Sequence, residues 1–284
     1  MGLGLLIHTV LQFGRAHWFA FLILFSLVVG VQVADQVIVQ PKVAVIPVYN
    51  AVLTKAQSDH IVRMLEGAHE RDDVAAVVLD IESPGSEVTV AEDMFMNVLS
   101  LRRKKPVVAS INQIGTSGAY YLSLPANTIM AKPSSLVGSI GVRAGLPKPM
   151  ESQEGEIVSG PFKGPGLMKM EKAAQIETIK DNFLDQVVAY RGEKLSVSRH
   201  QLAMAGVYLG VEARDLGLVD ELGSTSDAID RAASMAGVDN WEVIYMDDEL
   251  HLEEGVTALG GNGTVSRLPA RPAYAPVYYF LYVD

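Results

Sequence analysis

Apolar, β-branched runs alternate with helical patterns through the first half of the chain. Runs of strand length occupy Val43–Val48, Val74–Ile81 and Pro106–Ile111, and apolar positions recur at helical spacing over Gln57–His69 and Val88–Leu101. The second and third runs are almost continuously apolar, which is typical of strands covered on both faces. The alternation predicts a parallel sheet of the α/β class.

The second half predicts shorter elements and one long helix. Short strands and turns are expected over Thr128–Val142, followed by a helix over Leu167–Tyr190. Smaller helices are expected over Ser198–Ala205, Val211–Leu216 and Thr225–Ala236. Within the long helix, apolar residues step by three or four, and we interpret this stripe as core packing.

The segment Trp18–Ala34 contains no charged residue and has no polar face. This predicts a helix surrounded by lipid, at the low end of the length needed to span a bilayer. Arg15 and His17 precede the run and Asp35 follows it, which favours a cytoplasmic N-terminus and an extracytoplasmic main domain. A cleaved signal peptide is the alternative, because small residues precede Asp35.

The predicted organisation is an N-terminal segment at residues 1–16, a transmembrane anchor at 17–34, one domain at 35–246 and a tail at 247–284. The tail begins with acidic residues, continues through a glycine-rich link and ends in an apolar, aromatic stretch. That end is too short to span a bilayer. We expect a flexible arm whose end adds a strand to another surface.

Composition excludes several kinds of chemistry. The net charge of -10 argues against nucleic acid as a partner, and the absence of cysteine excludes disulfides and thiolate catalysis. None of the six histidines has metal-ligand spacing, and no glycine-rich loop carries the lysine that a nucleotide phosphate requires. The sequence therefore predicts an activity without a metal or other cofactor.

Ser117 is the candidate nucleophile. It lies between small residues, after an apolar strand and before Ala119–Leu122, which can continue as a helix, while Gly118 allows close approach of the backbone. A helix N-terminus offers free backbone N–H groups that can stabilise an oxyanion. The alternative is that Ser117 is an ordinary helix cap, as serines at such positions usually are.

Lys163 is the candidate general base, because a serine hydroxyl needs a neighbouring group to take its proton. A lysine can do so only when it is neutral, which requires a dry setting. Phe162 and the surrounding glycines and prolines provide no carboxylate that would hold the proton. The alternative is a solvent-exposed loop lysine.

The turn Glu82–Ser86 directly follows a predicted strand and has a Pro-Gly centre. The carboxyl ends of parallel strands are where α/β sheets place ligand-binding backbone. Gly85 is a candidate N–H donor to a developing oxyanion, with Gly118 as the second donor. An ordinary turn is the alternative.

Taken together, these segments resemble the signal peptide peptidase A family of membrane-anchored Ser/Lys proteases over roughly Val43–Ala236. The resemblance is carried, in chain order, by Ile81–Gly85, Thr116–Tyr121, Gly138–Val142, Ser159–Lys163, Tyr190–Gly192 and Gly217–Gly223.

The resemblance implies a Clp-protease/crotonase-like repeated β-α core with an N-terminal transmembrane helix. It implies Ser117 as nucleophile, Lys163 as general base, and Gly85 and Gly118 as oxyanion-hole donors, with Ser139 orienting the lysine. Peptide substrates, namely signal peptides or other hydrophobic segments, and a homo-oligomeric ring at the membrane are implied as partners. The family's turn usually ends in two glycines, and Ser86 stands in place of the second.

Three alternatives remain at this point. A related Ser/Lys membrane protease acting on stomatin-like partners shares the dyad. A crotonase-fold enzyme acting on an acyl thioester needs an oxyanion hole but no dyad, and a catalytically silent membrane scaffold needs neither. A further hypothesis is that Pro272–Ala275 enters a neighbouring subunit's groove as a self-substrate.

Overall fold

The computed structural model describes residues 17–30, 40–49, 53–145, 169–250 and 278–281. The chain divides into two units, Met1–Gln40 and Pro41–Asp284. In the first unit, residues 17–30 form helix α1, whose apolar side chains are exposed. Within the described residues, no helix is both long enough and apolar enough to cross a bilayer.

The second unit alternates strands and helices. Its strands are β1 (Lys42–Tyr49), β2 (Val74–Ser83), β3 (Gly85–Glu87), β4 (Val107–Thr116), β5 (Thr128–Ala131), β6 (Leu136–Gly138), β7 (Arg143–Ala144), β8 (Val207–Leu209), β9 (Glu221–Leu222), β10 (Glu242–Tyr245) and β11 (Tyr278–Leu281). Its helices are α2 (Lys55–Glu70), α3 (Val88–Arg102), α4 (Gly118–Ser123), α5 (Lys169–Arg191), α6 (Arg199–Leu202), α7 (Gly210–Asp215), α8 (Thr225–Ala236) and α9 (Met246–Glu249), with a 3-10 turn at Gly192–Lys194.

Within the residues that the structure describes, the main sheet has eight strands, and its principal path runs β10-β1-β2-β4-β5-β9. Strand β6 pairs with the end of β4, and β8 pairs with β6. All of these pairs are parallel except β6 with β8. The predicted parallel α/β sheet is confirmed.

Helices cover the sheet on both faces. The larger core packs α2, α3, α4 and α5 against one face, and the smaller core packs α8 against the other. Strand β2 supplies both cores, because Val77 and Leu79 belong to the first while Ala76 and Val78 belong to the second. This arrangement explains why that strand is apolar at successive positions.

The predicted helices agree with the structure to different extents. Helix α8 has the predicted bounds, because Ser224 caps its first turn through Asp227 and Gly237 ends it in a left-handed conformation at φ 69°. In α5, the predicted stripe includes Phe183 and Val187, which are fully buried. Helix α9 crosses the predicted start of the tail at residue 247, and its Glu249 forms an ion pair with Arg71.

Candidate active site

Ser117 lies at the sharp corner where β4 passes into α4. Its backbone adopts φ 56° and ψ -119°, a region that L-residues rarely occupy, and its side chain is fully buried. The corner is held by two hydrogen bonds. The Ser117 N–H donates to the Gly138 carbonyl at 2.8 Å, and the Ser117 carbonyl accepts from the Tyr121 N–H at 2.9 Å.

The Ser117 hydroxyl does not cap the helix that follows it. No side-chain cap hydrogen bond is made at Ser117, and its Oγ is a buried polar atom without a hydrogen-bond partner in the described part of the chain. Among the described non-glycine residues, Ser117, Ser139 and Ala205 have positive φ, and only Ser117 also carries such an Oγ. Strain of this kind concentrates at functional sites, because it persists only where the surrounding structure enforces it.

The Ser83–Gly85 turn lies beside this corner. Strands β2 and β4 place Ser83 opposite Gly115, and the Thr116 hydroxyl donates to the Pro84 carbonyl at 3.1 Å. Gly85 has φ 141°, and its N–H donates to the buried Ser83 Oγ at 3.2 Å. The turn that carries the Gly85 N–H is therefore held against Thr116, the residue before Ser117.

Ser139 lies at the end of the strand next to β4. Thr116 is opposite Gly138 in the β4–β6 pair, so Ser117 and Ser139 follow paired residues at the same edge of the sheet. Ser139 has φ 54°, is buried, and donates its N–H to the Gly206 carbonyl at 2.8 Å. The structure thus brings Gly85, Ser117, Gly118 and Ser139 together at the carboxyl ends of β2, β4 and β6.

Lys163 lies outside the described residues, so the predicted dyad stays a prediction. A different buried lysine, which sequence reasoning did not single out, is Lys172 in the first turns of α5. It is 5% exposed, and its Nζ donates to the Gly145 carbonyl at 2.8 Å. This hydrogen bond connects the start of α5 to Gly145, the residue that directly follows β7.

Tyr121 in α4 lies among aromatic rings, with one carboxylate nearby. Burial, followed by the nearby Glu92 carboxylate, raises the pKa of Tyr121 to about 12, and burial also raises the pKa of Glu92. The Tyr121 ring packs against Phe95 and Phe183, with ring centroids 5.0 Å away in each case. Within the described residues, no three His, Asp or Glu side chains are grouped as metal ligands.

Comparisons with known proteins agree with this arrangement. The sequence pattern of peptidase family S49 matches residues 100–152 and 167–239. A candidate protease of Methanocaldococcus jannaschii is 33% identical over 220 residues, covering 72% of this chain and 69% of that protein. Protease 4 of Salmonella typhi is 33% identical over 62% of this chain and 31% of its own length. The chloroplastic serine protease SPPA of Arabidopsis thaliana is 27% identical over 64% of this chain and 29% of its own length.

Among solved structures, the fold is similar to that of the 1510-N membrane-bound stomatin-specific protease. A serine-to-alanine mutant of that protein gives a TM-score of 0.50 at 16% identity, covering 73% of this chain and 98% of the other. A lysine-to-alanine mutant in complex with a substrate peptide gives the same TM-score and identity, covering 93% of that chain. At this identity, the likeness shows a Clp-protease/crotonase-like α/β fold. With the archaeal relative matched over more than two thirds of its length, the chain belongs to peptidase family S49 and is a serine protease.

Proposed function

We propose that this protease is a membrane-anchored endopeptidase that uses Ser117 and Lys163 as a catalytic dyad. The Ser117 Oγ attacks the carbonyl carbon of the scissile peptide while its proton passes to the neutral Lys163 amine. Backbone N–H groups of Gly85 and Gly118 donate to the resulting oxyanion. The C–N bond then breaks, the leaving amine takes the proton from Lys163, and water hydrolyses the acyl-enzyme by the same route.

The observation that carries the proposal is the buried Ser117 Oγ, which has no hydrogen-bond partner among the described residues and lies at a strained strand-to-helix corner. A structural serine at a helix start would bond its hydroxyl to the first turn. Gly118 begins α4, and the first N–H groups of a helix lack intrahelical acceptors. The corner thus offers a nucleophile together with a donor for the charge that develops beside it.

The roles of Lys163 and Ser139 rest on the family resemblance and on the placement of Ser139. Ser139 adjoins Gly138, whose carbonyl accepts from Ser117. A hydroxyl at this position can orient a lysine that approaches the nucleophile. The solved relative whose lysine is changed to alanine holds a substrate peptide, which supports a catalytic lysine in this fold.

We propose signal peptides or other hydrophobic segments as substrates. The fold likeness to a stomatin-specific protease favours stomatin-like proteins as the second candidate substrate class. The uncharged run at 18–34 supports a single-pass anchor with the N-terminus in the cytoplasm and the catalytic domain outside it. A homo-oligomeric ring in contact with membrane lipid is proposed from the resemblance.

The function is tested by peptidase assay of the detergent-solubilised full chain on a signal peptide and on a stomatin-like segment. Ser117→Ala and Lys163→Ala are expected to lower kcat/KM by about 10⁴-fold or more, because the two groups act as a unit. Ser123→Ala is the matched control, since Ser123 is buried on the same helix but already donates to the Tyr120 carbonyl at 2.7 Å. Full activity in either dyad variant would reject the assignment, and the preferred substrate decides between the two classes.

A further inference from the structure

Helix α4, which begins directly after Ser117, is connected by a tyrosine to a distant loop. Tyr120 is fully buried, and its hydroxyl donates to the Leu218 carbonyl at 2.8 Å. Burial raises the pKa of Tyr120, so its hydroxyl stays protonated at neutral pH and acts as a donor. The bond therefore connects the helix of the proposed nucleophile to a residue 98 positions later in the chain.

The loop that accepts this bond is itself fixed by a buried arginine. The Leu218 N–H donates to the Ala213 carbonyl at 2.8 Å, and the neighbouring Gly217 carbonyl accepts from Arg191 Nε at 2.9 Å. Arg191 Nη1 also donates to the Asp220 carboxylate at 2.8 Å. One guanidinium thus holds the loop at two points, on either side of Leu218.

The arginine and the loop belong to two motifs that carried the family resemblance and have no part in the proposed chemistry. Arg191 is the centre of Tyr190–Gly192, and the loop begins the segment Gly217–Gly223. Their hydrogen bonds bring the two motifs together, and Tyr120 connects both of them to α4. The fold therefore gives these motifs a common position beside the helix that starts at the active-site corner.

A helix as short as α4 depends on tertiary contacts for its position. It has six residues, fewer than the roughly 12–15 that an isolated helix needs in water. The strained backbone of Ser117, at φ 56°, persists only where the surroundings fix it from both sides. On the strand side, the Gly138 carbonyl accepts from the Ser117 N–H at 2.8 Å. On the helix side, Tyr120 provides a fixed point about one turn further along the chain.

We propose that Tyr120 is a positioning residue for the nucleophile and for the oxyanion donor. Acting through the loop that Arg191 fixes, it holds Ser117 and the Gly118 N–H in their reactive geometry. The inference rests on the proposed function for the roles of Ser117 and Gly118. Displacement by 1 Å near the chemistry lowers the rate by about 10²-fold. Loss of one bond, with the ring still packed, permits a smaller displacement, so we expect a smaller decrease in kcat.

The kinetic test compares Tyr120→Phe with Ser123→Ala in the detergent-solubilised full chain. Each variant removes a buried hydroxyl of α4 that donates to a backbone carbonyl, but the Ser123 bond stays within the helix and the Tyr120 bond leaves it. Tyr120→Phe is expected to lower kcat about tenfold and to keep KM within about twofold of the wild-type value, because binding does not require an aligned nucleophile. Ser123→Ala should keep both constants. An unchanged kcat in Tyr120→Phe, or a loss that lies entirely in KM, would overturn the proposal.

A double-mutant cycle tests the route through Arg191. Arg191→Lys replaces two donor nitrogens by one, so we expect the bond to the Gly217 carbonyl or the bond to Asp220 to be lost. In this background, Tyr120→Phe should lower kcat by less than about threefold, because the loop is already released. The control background is Arg199→Lys, an exposed arginine, where the decrease should remain about tenfold. A tenfold decrease in both backgrounds would overturn the route through Arg191.

Amide hydrogen exchange separates the fate of this inference from that of the proposed function. The Ser117 N–H bonds to the Gly138 carbonyl, and the Tyr121 N–H bonds to the Ser117 carbonyl. Tyr120→Phe should speed exchange of both N–H groups by at least about fivefold relative to the amides of β1, which correct for any change in global stability. Ser123→Ala should leave this ratio at the wild-type value.

The two failures then have different signatures. Full peptidase activity of Ser117→Ala would reject the proposed function, and the exchange ratio would still decide whether Tyr120 holds the corner at Ser117. An unchanged ratio in Tyr120→Phe would overturn the positioning role, whatever the activity of Ser117→Ala.

Discussion

Ser117 is fully buried and Asp220 is partly buried in the same unit, and the two residues differ in how their hydrogen-bonding capacity is met. The Ser117 Oγ has no partner within the described residues. Asp220 accepts from Arg191 Nη1 and the Ile129 N–H at 2.8 Å each, and from Lys194 Nζ at 2.6 Å. A polar group whose hydrogen bonds are met stabilises the fold, whereas a buried hydroxyl without a partner is retained at a cost in stability. At Ser117 the lack of a partner coincides with a strained backbone, and this combination indicates a functional site.

The largest effect is expected when Ser117 itself is changed. Ser117→Ala removes a desolvated hydroxyl without breaking a bond to another described residue, so the free energy of unfolding should stay level or rise by up to about 1 kcal/mol. Peptidase activity should fall by about 10⁴-fold or more. Chemical denaturation and the peptidase assay on the same preparation measure both quantities.

Ser123→Ala should show the reverse of this pattern. It removes the bond to the Tyr120 carbonyl and is expected to cost about 1 kcal/mol while leaving kcat/KM near the wild-type value. A Ser117→Ala protein that loses more stability than Ser123→Ala would contradict the contrast between the two kinds of serine.

Arg191→Met is expected to have the largest effect on stability. Arg191 is 3% exposed, and it donates to Asp220 and, through Nε at 2.9 Å, to the Gly217 carbonyl. Removing it leaves a partly buried carboxylate without its guanidinium partner. Breaking a fully buried pair costs about 3–5 kcal/mol, and the partial exposure of Asp220 and its remaining bond to Lys194 put the expected loss at the lower end of that range. Urea unfolding followed by circular dichroism measures the change.

The control for Arg191→Met is Arg199→Met, whose exposed guanidinium pairs with Asp181 and Asp185. Exposed pairs contribute about 0–1 kcal/mol, so this variant should unfold close to the wild type. Equal losses of stability in the two variants would show that the Arg191–Asp220 ion pair contributes no more to folding than an exposed pair.

Gly138→Ala is expected to lower both the stability of the fold and the peptidase activity by intermediate amounts. Gly138 has φ 111°, and a Cβ there would approach the Gly206 carbonyl oxygen to 2.7 Å. The strain costs about 1–3 kcal/mol, and the carbonyl that holds the Ser117 N–H must shift. We expect kcat/KM to fall by about 10²-fold, because displacement by 1 Å near the chemistry has that effect.

Gly237→Ala separates backbone strain from damage to the site. Gly237 has φ 69° and ends α8, and no atom lies within 4 Å of an added Cβ. It should lose about 1 kcal/mol of stability and keep its activity. If Gly138→Ala also keeps full activity, the corner at Ser117 does not depend on β6.

The sequence predicted those features that depend on neighbours a few residues away. The bounds of α8 follow from Ser224 and Gly237, and the apolar run of β2 follows from burial on both faces. The position of Ser117 between a strand and a helix was also predicted, and assignment of the chain to its protease family is confirmed.

Other features depend on contacts between distant segments. The pairing of β11 with β3 and β7 joins residues far apart in the chain, and the aromatic tail indicates a strand without naming its partners. The strained φ of Ser117 arises from the packing of β4, β6 and α4 together. The motifs that contain Arg191 and Asp220 were noted for resemblance alone, and only the fold reveals their ion pair.

The smallest effect is expected from the dependence of stability on pH. Burial alone would raise the pKa of Asp220, but the hydrogen bonds from Arg191, Lys194 and the Ile129 N–H outweigh it, and the pKa lies below its ordinary value. The ionised carboxylate therefore stabilises the fold fully above the unfolded-state pKa of about 3.9. That stabilisation is lost as the pH falls through the lower pKa of the folded state.

Asp220→Asn removes this titration. The variant should be less stable than the wild type at pH 7, and its free energy of unfolding should fall less steeply as the pH drops below about 4. Asp185→Asn, which makes the same charge change at an exposed pair with Arg199, serves as the control and should follow the wild-type slope. Urea unfolding at a series of acidic pH values gives the three slopes. If the free energy of unfolding has the same pH dependence in Asp220→Asn and Asp185→Asn, the ionised Asp220 carboxylate does not stabilise the fold, and the contrast with Ser117 is lost.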